Sequence, residues 1–298
     1  MYKASLVAAS VAVAFTLLTP VAHADLISFS AVRDSSLPLE QYLAGAYTYT
    51  QSQQTADGAM ASVSIPSGNA TARTEYGVNR VAVENNVYVD DEFLRSESIG
   101  GPFAVGISAW ADRFTISGGV GTDTATVSTA LTGQFGPKDD PSYGGVGFYY
   151  LWVASRAQID ALAARPFEFL VEFLEAVELD PSLAALALVQ SVPNPLFRPD
   201  GEPVPPGGLF GRALSGEIAF TYDESFYLVS LLGGAANDYG ILNAMDSARF
   251  GITAPSGASI ETESRTVYPS AVVPEPATSA LLALGLLSLV AVRRRAGS

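Results

Sequence analysis

The chain has 298 residues, of which 30 are acidic and 16 basic, for a formal charge of −14, and it contains no cysteine and one histidine, His23. These counts exclude disulfide stapling and zinc centres built from Cys and His, and they leave no basic footprint for nucleic acid.

The first 24 residues have the layout of a secretory signal peptide. Lys3 precedes an apolar run from Leu6 to Leu18, and Pro20 is followed by the small-residue pattern Ala22-His23-Ala24. The run is short for a membrane span, and Ala22-x-Ala24 is a good peptidase site, so cleavage by signal peptidase is expected after Ala24. Loss of this signal helix removes His23. The remaining chain then has neither Cys nor His, which excludes Ser-His-Asp and Cys-His nucleophilic catalysis. Lys138 is the one lysine left, and no Ser-x-x-Lys leads into it. Carboxylate chemistry, as in glycosidases, and oxygen-ligated calcium stay open.

From residue 25 onward strand signals dominate. Runs rich in Val, Thr, Tyr and Phe occur at Thr48–Gln51, Ala61–Ile65, Val78–Val89, Phe103–Ile116 and Thr124–Phe135, separated by Gly, Asn, Asp or Ser. Their spacing predicts an antiparallel β-sandwich. Gly118-Gly119-Val120-Gly121-Thr122-Asp123 is expected to be a hairpin turn, because glycine supplies positive φ and no helix comes after it that would make a phosphate cradle. Gly144-Gly145-Val146-Gly147, ahead of Phe148-Tyr149-Tyr150-Leu151-Trp152-Val153, is read the same way.

Three groups of residues are candidate binding elements. Asp90-Asp91-Glu92 and Asp139-Asp140 offer calcium ligands of the extracellular, millimolar type, with solvated turns as the plainer reading. Tyr47 and Tyr49, with Phe148, Tyr150 and Trp152, could form an aromatic platform for sugar rings, against the plainer reading as core.

Residues 155–208 break the pattern as a small helical insertion. Ala157–Arg165 has helical composition, and Pro166 suits the first turn of a new helix. Phe167, Leu170, Val171, Leu174 and Val177 then fall at helical spacing opposite Glu168, Glu172, Glu175 and Glu178. A strand is the competing reading, since Phe167, Phe169, Val171, Phe173, Val177 and Leu179 also alternate. Prolines 193, 195, 199, 203, 205 and 206 mark a loop or linker. Strands resume at Glu217–Tyr222, Ser225–Leu232 and Ser247–Ile252.

The last 25 residues form a separate unit of three parts: Pro274-Glu275-Pro276, sixteen uncharged residues from Ala277 to Val292, and Arg293-Arg294-Arg295. A sixteen-residue helix is about 24 Å long, so it spans a hydrocarbon core of about 30 Å only with thinning or snorkelling. The arginines after the span predict a cytoplasmic C-terminus, with everything before it outside. From Asp25 to Glu275 the chain holds all 30 acids and 12 basic residues, a charge near −18 that keeps an exported protein soluble.

These two ends together resemble the PEP-CTERM proteins, which pair a signal peptide with a tail of Pro-Glu-Pro, hydrophobic helix and Arg cluster. The resemblance implies recognition by an exosortase, an integral-membrane cysteine protease-like transpeptidase of Gram-negative bacteria that make exopolysaccharide. It also implies removal of the tail near Pro276, transient residence in the inner membrane, and delivery of residues 25–273 to the cell surface or matrix. Two internal stretches resemble strands common in such ectodomains: Trp110-Ala111-Asp112-Arg113-Phe114-Thr115-Ile116 before Gly118-Gly119, and Ala244 to Gly257 with its Pro255-x-Gly257 turn. They imply a sandwich with jelly-roll leanings. The expected organisation is therefore a signal peptide (1–24), an all-β sandwich ectodomain (25–273) and a sorting tail (274–298) with a transmembrane helix at 277–292. The expected function is that of a non-catalytic surface or extracellular-matrix protein without cofactor, associated with exopolysaccharide. The alternative is a carboxylate- or Tyr-dependent glycan hydrolase or lyase, or a calcium-dependent carbohydrate-binding module.

Overall fold

A computed structural model describes residues 25–32, 48–51, 53–55, 58–86, 103–137, 145–191, 209–237, 240–245 and 248–270. The described strands are β1 (Asp25–Val32), β2 (Thr48–Gln51), β3 (Gln53–Thr55), β4 (Gly58–Ile65), β5 (Gly68–Glu75), β6 (Val78–Asn85), β7 (Phe103–Ser117), β8 (Thr122–Pro137), β9 (Gly145–Ala154), β10 (Leu186–Ser191), β11 (Leu209–Thr221), β12 (Ser225–Asn237), β13 (Gly240–Ala244), β14 (Arg249–Thr253) and β15 (Ser259–Thr262). They form two antiparallel sheets. One runs β10-β9-β12-β7-β1-β2, with β15 also on β7; the other runs β11-β8-β13-β6-β5-β4-β3, with β14 beside β13 in the slot between β6 and β8. The expected all-β antiparallel sandwich is present.

Burial explains why the strands of the two sheets differ in composition. In the outer sheet, β6 alternates strictly, with Val81 and Val83 inside and their neighbours half-exposed, as a sheet with one wet face must. The inner sheet is covered on both sides. Along β7, Ala104, Trp110, Phe114 and Ile116 face the other sheet, while Ile107, Ala109 and Ala111 face a second core. That second core lies under two helices, α1 (Arg156–Ala164) and α2 (Pro166–Leu179). The molecule is thus three layers: outer sheet, inner sheet, helical pair.

Local sequence sets the helices. Ser155 caps α1: its Oγ accepts from Gln158 N at 3.3 Å, and Gln158 Oε1 accepts from Ser155 N at 2.9 Å, a reciprocal capping box. Pro166 occupies the first turn of α2, where its missing N–H costs nothing. Arg156 reaches Asp25 and Asp160 at 2.9 Å each, joining α1 to the start of β1. Residues 166–179 are helical, which settles the choice between helix and strand. The buried face is Phe169, Leu170, Phe173 and Val177, with Leu174 at its margin, so the helix is rotated from the expected stripe to bring two phenyl rings inward. The helical part is also shorter than 155–208, since the chain rejoins the inner sheet as β10.

Two expectations about turns change. Residues 118–121 have the positive φ anticipated at Gly118 (105°) and Gly121 (77°), yet β7 and β8 belong to different sheets, so the segment is an arch over the sandwich edge and no hairpin. Gly145 to Gly147 lie within β9, because Gly147 sits opposite Gly234 and Gln190 on the flanking strands. Strand β5 had no strand signal: its inward residues are Gly68, Ala70, Ala72 and Thr74, too small to register as a hydrophobic run.

A chain of buried polar groups crosses the interface between the sheets. Ser28 and Thr74 hydroxyls lie 2.8 Å apart, as do those of Thr74 and Ser108. Ser108 Oγ lies 3.1 Å from Asn79 Oδ1 and 2.9 Å from the Arg73 carbonyl, either of which takes its proton. Asn79 Nδ2 donates to Ser230 Oγ at 2.7 Å, and Ser230 donates to Tyr149 Oη at 3.0 Å. Burial pushes the Tyr149 phenol up to about 12, with the Ser230 hydroxyl pulling the other way. Beside this seam Gly106 and Gly234 are register partners, leaving a notch for Val81; a Cβ on Gly106 would stand 2.9 Å from Val81 Cγ1.

The helical layer has a test. Phe173 packs on Trp152 at a ring-centroid distance of 4.4 Å and edge-on to Tyr150 at 5.5 Å. Phe173→Ala is expected to cost about 3–5 kcal/mol, measured as the shift in urea midpoint; a loss under about 1 kcal/mol would mean that the helices are not integral to the fold.

Candidate functional site

Of the sites expected from sequence, most lie outside the described residues: Ala22 and Ala24, Asp90, Asp91, Glu92, Asp139, Asp140, Pro274, Glu275, Pro276 and Arg293 to Arg295, with the 277–292 span and Tyr47. Among the described residues no group of three or more His, Cys, Asp or Glu could hold a metal, and no helix is long and apolar enough to cross a membrane. The aromatic platform is corrected. Phe148, Tyr150 and Trp152 are buried, because α2 lies over that face of β9 and its Phe169 and Phe173 stack on Trp152. These three aromatic residues at alternate positions belong to the second core and are closed to a sugar, and the Tyr49 side chain lies outside the described residues with Tyr47.

The structure instead brings attention to the segment that leads into the tail. After β15 the chain turns at Glu263 and Ser264, passes Arg265 at φ 60°, and runs as an irregular strap to Ser270. A single buried carboxyl holds it. Asp112 points inward from β7, fully buried, and accepts four hydrogen bonds: from Arg113 N at 2.9 Å, Ser264 N at 3.0 Å, Ser264 Oγ, and Tyr268 Oη at 2.9 Å. Burial raises the Asp112 pKa above its ordinary value, and the Ser264 and Tyr268 donors oppose that shift. The Tyr268 phenol is likewise pushed upward by burial and then by Asp112.

Other contacts lengthen the clamp. Glu263 N donates to the Arg113 carbonyl at 2.9 Å, Ile252 N donates to the Pro269 carbonyl at 3.0 Å, and Thr253 Oγ1 donates to the Ser270 carbonyl. The Tyr268 ring packs against Trp110, Phe114 and Phe250 at centroid distances of 5.6, 5.2 and 5.3 Å. The strap is therefore part of the sandwich end. Reading by sequence caught Asp112 as part of a strand but missed Ser264 and Tyr268, which lie 152 and 156 residues away. The available signal was an acid inside the apolar run Trp110–Ile116, which needs donors wherever they lie in the chain.

The residues beyond the strap decide the nature of this end. The family model for the PEP-CTERM protein-sorting motif matches residues 272–295, two residues beyond Ser270. The chain carries a PEP-CTERM sorting tail. No curated protein and no solved structure matches the chain. The PEP-CTERM motif implies exosortase-targeted sorting of an exported protein, with exosortase as the processing partner. Pro274 comes four residues after Ser270, so at about 3.5 Å per extended residue it stands at most about 14 Å from the clamped strap. The PEP-CTERM tail hangs on a short leash from a fixed point.

Tyr268→Phe tests the clamp while keeping the ring. Because folding raises the Asp112 pKa, the folded state holds the proton more tightly than the unfolded one. Asp112 thus favours folding on the acid side of its ordinary value near 4, and that advantage is lost as pH rises through its raised value. Above that point the ionised carboxyl depends most on its donors. Loss of the tyrosine hydroxyl is expected to cost about 1.5–3 kcal/mol at pH 7 and less near pH 4, from paired urea titrations; equal losses at both pH values would refute the assignment.

Proposed function

We propose that this chain is an exported, non-catalytic surface or extracellular-matrix protein, whose sandwich body is delivered by exosortase processing of its PEP-CTERM tail and works in association with exopolysaccharide. One observation carries the reading: the sorting motif at 272–295 begins directly after a strap that is built into the folded body. The body has the properties of cargo. Its charge near −18 between Asp25 and Glu275 suits an aqueous exterior, and the absence of Cys throughout and of His beyond His23 removes the commonest nucleophile and base. β1 starts at Asp25, where the expected signal-peptide cleavage after Ala24 would leave the new N-terminus. The glycan hydrolase or lyase alternative draws less support, since Phe148, Tyr150 and Trp152, three of the aromatic residues expected to stack on a sugar, lie under α2. Calcium association through Asp90, Asp91, Glu92, Asp139 and Asp140 remains a proposal resting on sequence.

The test is intact-mass analysis of the exported protein from a host that carries an exosortase. The expected product begins at Asp25 and ends near Pro276. Exported material that keeps Arg293 to Ser298 would sink the processing claim, and turnover of a host polysaccharide by the exported protein would sink the non-catalytic one.

A further inference from the structure

The strap shapes a groove of about 470 Å³ on the end of the sandwich. It is lined by Ile252, Ile260, Val267 and Tyr268 together with Glu261, Arg265 and the threonines at 262 and 266. Two of these residues are displayed in an unusual way. Val267 is 93% exposed, a branched aliphatic residue held out in solvent beside the side chains of Ile252, Ile260 and Tyr268 that line the groove. Arg265 is exposed in a turn at φ 60°, and among the described residues its guanidinium makes no ion pair or hydrogen bond. On a body near −18, a cation with no ion pair among the described residues is available to an outside carboxylate.

Chain length then limits what can reach this groove. Tyr268 lines it, and Pro274 lies six residues further on, about 21 Å at full extension. A protein that grips Pro274 to Pro276 therefore works within about 21 Å of the sandwich end while the strap stays clamped. Release would forfeit the three hydrogen bonds that the strap gives Asp112 and strip the Tyr268 ring from Trp110, Phe114 and Phe250, so the clamped form is favoured.

We propose that the strap groove is a second contact surface for the sorting enzyme, and that it accepts an extended apolar segment of that enzyme with a carboxylate placed to meet Arg265. This rests on the exosortase reading of the tail. The enzyme would read two features of one end, the motif and the folded strap beside it. An unfolded or unclamped body would show the first without the second.

The experiment compares tail removal, by intact mass over time, in the full chain co-expressed with an exosortase. Arg265→Glu with Val267→Glu alters two exposed side chains, and an unchanged urea midpoint checks the fold. Processing is expected to slow about tenfold, as for loss of an interface contact worth about 1.4 kcal/mol. The same pair is then placed in a chain with twenty Gly/Ser residues inserted between Ser270 and Ala271, a spacer of about 25 Å in rms length. There the substitutions are expected to have no effect, because the motif no longer brings the enzyme to the groove. Wild-type processing of the unspaced double variant would overturn the proposal, as would an equal slowing with the spacer present. A Pro274→Ala, Glu275→Ala chain processed normally would overturn the tail reading itself.

Discussion

The buried polar seam between the sheets is the constraint on which the rest of the molecule depends. A hydrophobic alternation of period two is indifferent to a slip of two residues, since the same faces stay inside. The seam is not indifferent. Ser28, Thr74, Ser108, Asn79, Ser230 and Tyr149 come from six strands of both sheets, and their hydroxyl and amide groups meet in one superposition of the two layers. A slip would leave several of them buried and unpaired, at about 1–3 kcal/mol each. Summed over the seam, that rivals the whole stability of an ordinary domain, about 5–15 kcal/mol. The Val81 notch at Gly106 and Gly234 adds a steric stop to the same effect.

Fixing the sheets fixes β7, and β7 carries the consequences to the end of the chain. Its inward series passes from Ser108 in the seam through Trp110 to Asp112, two residues at a time along one face. Once Ser108 is locked, Asp112 stands at the sandwich end and takes its donors from the strap and from its own neighbour Arg113. The strap in turn sets where the sorting tail departs. A buried carboxylate is costly without partners, so the clamp is specific: with the strap displaced, the four bonds to Asp112 reduce to the one from Arg113 N.

How much could be read from the sequence depends on how local each signal is. The tail is compositional: prolines, an apolar span and arginines in order carry their meaning without tertiary structure, and the family model finds the motif where the residues indicate it. Strands with large residues, such as Phe103–Ile116, were visible for the same reason. The arches at 118–121 and 255–258 showed their glycines and not their destinations, since positive φ permits a reversal but does not say which sheet receives the next strand. Residues 167–179 had both periodicities, and tertiary burial of Phe169 and Phe173 decided for the helix. Phe148, Tyr150 and Trp152 misled because an aromatic stripe is the same on a ligand face and under a covering layer. The Asp112 clamp depends on partners more than 150 residues away, and no local pattern encodes that pairing.

If residues 277–292 span the membrane as expected from their sequence, the link between clamp and span also answers a problem of charge. A body near −18 is repelled by an anionic leaflet, and repulsion between exposed charges decays over a Debye length of about 8 Å at physiological ionic strength. Ala277 comes seven residues after Ser270, about 25 Å at most, so the body could stand roughly three Debye lengths from the start of such a span. A shorter link would press the acidic surface into the unscreened zone. A much longer one would gain no further relief, and it would dilute whatever the folded strap contributes to recognition, because effective concentration falls with tether length. On the proposed reading, a link of this length lets the body clear the leaflet while the motif and the sandwich end still face one enzyme.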